Sequence, residues 1–147
     1  MEIMGIVTFG IALLGAVLGI INTWRNINRD RVRLRVTPKQ AIPFGAAELT
    51  HPNINFCIDV INLSFFPLTI SEVGVLHKGL DSRGAVFQPI TLDGTSIPRK
   101  LEAREAVSFY MEYPQPRDGH PLVSAYAKTS CGRMFKGISP ALMQLNQ

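Results

Sequence analysis

The chain has 147 residues and a formal net charge of +4, enough length for one domain and not comfortably two. The charge is uneven: residues 25–39 hold six basic side chains against Asp30 alone, while residues 40–147 carry nine basic and nine acidic side chains. A nucleic-acid-binding domain would carry its positive charge on the folded part, so no nucleic-acid partner is expected.

Residues 1–24 read as a membrane anchor. Ile3 to Ile21 is nineteen residues without a charge. As a helix this run spans about 28 Å, close to the hydrocarbon thickness of a bilayer. Asn22, Thr23 and Trp24 form a polar, aromatic exit at headgroup depth. A cleaved signal peptide would begin with basic residues and end at a small-residue site; here Glu2 precedes the run and the basic residues follow it. The helix is therefore expected to stay on the protein. Arg25, Arg29, Arg31, Arg33, Arg35 and Lys39 form a basic collar over residues 25–39. Cytoplasmic flanks carry the excess of Lys and Arg, so the N-terminus is expected outside and the domain in the cytoplasm, at the bacterial inner membrane. The same collar suits anionic lipid. Trp24 and the five arginines are thus the expected membrane-surface residues.

Gly5, Thr8, Ala12, Gly15, Gly19 and Asn22 are spaced 3, 4, 3, 4, 3, a seam of small or polar residues along one helix face. Small residues let helices approach closely in lipid, so this seam is the expected packing face toward a second copy or another membrane protein.

After the anchor the period falls to 2. Residues 31–36 alternate arginine with Val32, Leu34 and Val36, the pattern of a half-buried strand. Pro38, Pro43 and Gly45 are expected to open a loop. Further strands are expected over 53–63, 68–77, 87–92, 97–101, 106–113, 122–129 and 133–138, with turns at Ser64–Pro67, Lys78–Gly84, Asp93-Gly94 and Ser130–Gly132. A possible bulge sits at Glu72–Gly74. Short strands at this spacing, with no helical period after the anchor, predict an all-β, immunoglobulin-like sandwich of seven or eight strands over residues 31–140, the alternative being a small β-barrel. Residues 141–147 read as a tail. Cys57 shares parity with Asn55 and Asp59, away from the expected core, and Cys131 falls in a hairpin tip, so two free thiols are expected.

The stretch Val60-Ile61-Asn62-Leu63-Ser64-Phe65-Phe66-Pro67-Leu68-Thr69-Ile70-Ser71-Glu72-Val73-Gly74, with Ile97–Ala103 and Lys128–Arg133, resembles a group of small bacterial and prophage-encoded proteins. There a strand ends in V-x-N, a proline turn follows, and a T-I-x-x-V-G strand comes next. The resemblance implies a β-sandwich and a prophage or mobile-element origin; it carries no catalytic residues.

No G-x-S-x-G, H-E-x-x-H, P-loop or C-x-x-C pattern occurs, and His51, His77 and His120 lack metal-ligand spacing. Asp81, Asp93 and Asp118 adjoin turn residues and are read as turn formers, and Asn62 as a local turn cap. No cofactor, metal or enzymatic activity is expected. The function is expected to lie in surfaces, as a membrane-anchored protein-interaction module of host-envelope modification or phage-exclusion type. The alternatives are a homo-oligomeric assembly held by the helix seam, and a concealed ligand-sensing or enzymatic site joining the histidines. Phe65 and Phe66 place two aromatics in one turn: one is expected to plug the core, the other reading being an exposed partner contact.

Overall fold

The computed structural model describes residues 2–42, 53–81, 83–115 and 119–144. It separates into two compact units, residues 1–31 and 32–147.

The first unit is a single helix, α1 (Glu2–Arg29). It contains no proline, and it runs five residues past Trp24, so Arg25 and Arg29 lie on the helix and not beyond it. Its apolar side chains are exposed throughout: this helix is long and apolar enough to cross a membrane.

The second unit is a pair of antiparallel sheets, eight strands among the described residues. Sheet A has the order β1 (Leu34–Gln40), β2 (Ile54–Asn62), β6 (Ala106–Glu112). Sheet B runs β4 (Arg83–Ala85), β3 (Leu68–His77), β7 (Leu122–Thr129), β8 (Met134–Gly137), with β5 (Arg99–Leu101) beside the start of β3. A short helix, α2 (Pro140–Gln144), ends the described chain.

Period-2 alternation explains the core. Phe56, Ile58 and Val60 of β2 and Val107, Phe109 and Met111 of β6 face inward, against Ile70, Val73 and Val75 of β3 and Ala125 and Ala127 of β7. Tyr113 closes one end, its ring edge-on to Phe56 at 6.0 Å. A polar chain ties sheet B across its width: the buried Tyr126 hydroxyl donates to Glu72, which Arg83 also meets.

Two glycines let backbones approach. A Cβ on Gly74 would lie 2.0 Å from the Gly84 carbonyl oxygen, and one on Gly137 would lie 1.7 Å from that of Val36. The second contact brings β8, at the edge of sheet B, against β1, at the edge of sheet A.

Several expectations are corrected. Pro38 does not open a loop: β1 continues through it, opposite Ile58. An edge strand tolerates proline because the missing N–H need not face a neighbour. The bulge falls between Ile70 and Glu72, not at Glu72–Gly74. Residues 87–92 are not a strand. They make a single bridge, Ile90 to Tyr110, and leave Phe87 and Leu92 92% and 88% exposed; Pro89 interrupts any ladder there. Cys57 does point away from the core, but it is buried between its strand neighbours Lys39 and Tyr110, and burial pushes its thiol up. The stretch read as a tail begins with the helical turn α2, whose Leu142 is buried in the core. The loop expected around Pro43, Gly45 and His51, and Asp118, lie outside the described residues.

Candidate functional site

Along α1 the seam residues Gly5, Thr8, Ala12, Gly15, Gly19 and Asn22 share one face by their spacing, and all six are exposed. Apart from the adjoining residues and the helix's own backbone, nothing lies within 4 Å of a Cβ built on Gly5, Gly15 or Gly19. The Thr8 hydroxyl donates back to the Met4 carbonyl at 2.8 Å, as Thr23 does to Gly19 at 2.9 Å. Both hydroxyls are thus satisfied within their own helix, and what the seam offers a neighbour is a shallow shape. Trp24 is exposed near the helix end. The collar is divided: Arg25 and Arg29 ride the last turns of α1, Arg31 lies in the connection, Arg33 precedes β1, and Arg35 projects from β1.

The chain enters the β domain at one pole of the sandwich, and a latch forms there. The Arg33 N–H is bound by the Ser64 hydroxyl at 2.8 Å, and the Arg33 carbonyl accepts from Leu63 N–H at 2.8 Å. Asn62 is at the centre. It is fully buried, and its Nδ2 donates to the carbonyls of Phe66 (2.9 Å), Leu101 (3.3 Å) and Glu102 (3.0 Å), while its Oδ1 accepts from Ser64 N–H (2.9 Å). Its reach extends past the local turn to the link between β5 and β6, so its expected role as a local cap is only half of what it does. Leu101 and Glu102 are distant in sequence, which is why spacing could not disclose them.

This latch holds an exposed aromatic. Phe65 is 60% exposed and Phe66 half-buried; neither plugs the core. Pro67 and the buried Leu68 turn the chain directly into β3, leaving the aromatic pair outside it. The Arg104 guanidinium lies 4.7 Å from the Phe65 ring centroid, a cation–π contact. Arg104 has a positive φ of 68°, and its N–H donates to the Asn62 carbonyl at 3.0 Å. Nearby, Arg99 joins Asp93 (2.6 Å) to Glu105 (3.3 Å). Thr95 and Arg99 hold the Asp93 carboxyl well below the usual carboxylate range. Asp93 is therefore a turn former, as expected, and an ion partner as well.

At the opposite pole the sheets part around a groove of about 740 Å³. Ile54, Val75, Val86, Ile90 and Met111 line it with apolar surface, and Asn53, His77, Tyr110 and Glu112 add polar groups. The His77 Nε2 is buried without a hydrogen-bond partner among the described residues. His120 turns elsewhere, its Nδ1 2.9 Å from the Lys78 carbonyl oxygen, and does not line this groove. His51 lies outside the described residues; of the two described histidines only His77 lines the groove. Among the described residues no three His, Cys, Asp or Glu side chains are placed to share a metal ion.

The two thiols are free and sit in different sheets. Cys57 is buried; Cys131 is exposed at the β7–β8 turn, its Sγ 3.0 Å from the Thr129 hydroxyl. That contact leads the causes holding the Cys131 thiol below its ordinary value.

No protein-family model and no curated protein matches the chain. A solved structure, the X-ray structure of Northeast Structural Genomics Consortium target SoR45, aligns over 81% of this chain and 95% of its own, at 12% identity and a TM-score of 0.30.

Proposed function

We propose that this protein is a single-span membrane protein that holds a partner protein at the inner face of the bacterial inner membrane, acting through binding and not catalysis. The observation that carries this reading is the separation of the chain into an exposed apolar helix and a β unit with its own core. An apolar stripe that found no protein partner within the chain would be costly in water and is favourable in lipid. The collar gives the sidedness: N-terminus outside, β unit in the cytoplasm. On this reading the β unit is immunoglobulin-like, supported by two stacked antiparallel sheets with the chain crossing between them from β2 to β3, from β5 to β6 and from β6 to β7. The V-x-N and T-I-x-x-V-G segments support a prophage origin, and with it a role in altering the host envelope or excluding other phages.

Cys131 is a built-in reporter of sidedness. It is exposed, and Thr129 favours its thiolate, the form that reacts with maleimides. A membrane-impermeant maleimide added to intact spheroplasts should leave Cys131 unlabelled and should label it once the membrane is opened. Labelling in intact spheroplasts would reverse the topology.

A second reading is favoured by the open face at Gly15 and Gly19: the helix seam joins copies of this chain into an oligomer in the membrane. Crosslinking in native membranes tests it, with Gly15→Leu/Gly19→Leu as the control. A wild type that stays monomeric rejects it.

A further inference from the structure

The pole of the sandwich that receives the chain from α1 carries features that neither the core nor the helix uses. Three elements converge there. The turn after β2 presents Phe65. The turn between β5 and β6 presents Arg104, exposed, stacked on Phe65 and in no ion pair among the described residues. The β7–β8 turn presents Cys131 and the exposed Arg133, and Ser130 N–H donates to Thr69 at the start of β3, which fixes that turn at the same pole. The acidic groups of this pole are already engaged: Glu102 pairs with Lys100 at 2.7 Å and Glu105 with Arg99. What this pole exposes is the Phe65 ring, Arg104 and Arg133, beside the surface pair of Lys100 and Glu102.

Chain length fixes what such a surface meets. Arg29 ends α1, and Arg33 is already bonded into the latch beneath Phe65. Four residues of extended chain reach at most about 14 Å. A helix in a bilayer therefore keeps this pole within a short distance of the headgroups. Aromatic rings settle at headgroup depth, and arginines favour anionic lipid.

We propose that the Phe65–Arg104 pole is a lipid-contacting surface that rests on anionic headgroups. This rests on the membrane reading above. Arg104 has a positive φ, a backbone that glycine suits better, so the arginine sits there at a cost in local strain.

The test uses the full-length chain reconstituted into vesicles of phosphatidylcholine, with and without phosphatidylglycerol. Cys131 carries an environment-sensitive fluorophore, and quenching is read with lipids brominated just below the headgroup. The expected result is quenching that rises with phosphatidylglycerol. Arg104→Gly should lower the ratio of docked to free domain about fivefold, the worth of one basic residue at an anionic surface. Phe65→Ser should lower it further, and both variants should keep the wild-type circular dichroism. Alkaline carbonate separates the two possible failures. Release of the chain would overturn the membrane reading and this inference with it. Retention with a label that stays unquenched, or that ignores both variants, would overturn this inference alone and leave the pole to a protein partner.

Discussion

The glycines of α1 and those of the β domain do opposite things. Gly74 and Gly137 are explained by the fold, since each meets a backbone carbonyl closer than any Cβ could stand. Apart from adjoining residues and the helix's own backbone, Gly5, Gly15 and Gly19 meet nothing within 4 Å. In the domain a glycine is the mark of an internal contact already made. In the helix it leaves room that the chain itself does not fill. The strands of the domain turn most of their apolar side chains inward, whereas those along the helix are exposed.

This contrast is breakable by substitution. The largest effect is expected at Gly137→Ala, where β1 and β8 would have to part: overpacking of this kind costs about 3 kcal/mol, read as a drop in the denaturant midpoint of the domain. If Gly137→Ala were neutral, the close approach of the sheets at that edge would be wrong. Next is Asn62→Ala, which strands the carbonyls of Leu101 and Glu102 and the N–H of Ser64; about 2–3 kcal/mol is expected from buried groups left unpaired. Asn62→Asp should not rescue it, because a carboxylate cannot donate to those carbonyls.

A smaller effect is expected in alkali. Burial, and then Glu72, push the Tyr126 hydroxyl above the ordinary phenol value of 10.0, so the unfolded chain releases this proton first. Stability is therefore full below pH 10 and falls as pH rises beyond it. Tyr126→Phe should flatten that alkaline limb of the stability profile while leaving the shape near neutrality. The smallest is Gly15→Leu/Gly19→Leu, which should leave the denaturant midpoint of the domain unchanged. Any loss of crosslinked oligomer in that variant then belongs to the helix alone.

Most of the strand positions were legible, because alternation along 54–62, 68–77, 106–112 and 122–129 is strong. The failures have separate physical causes. Pro38 misleads because an edge strand suspends the rule against proline. Residues 87–92 mislead because an apolar run looks like a strand whether or not a neighbour pairs with it; here Phe87 and Leu92 stay outside. Cys57 was read correctly as off the core and free; parity could not add that its own face is covered. At the tethered pole, Phe65 and Phe66 were visible as a pair, but Arg104 was not. Thirty-nine positions separate it from Phe65, and only the fold brings it over the ring. The groove was likewise hidden, since its lining comes from four strands and the three connections beside them.

The central claim is that α1 lies in a bilayer. Extraction of native membranes at alkaline pH tests it most directly, with the full chain followed by immunoblot. The account predicts that the protein stays in the membrane pellet with integral proteins and leaves it only in detergent. Recovery of the chain in the alkaline supernatant would contradict it.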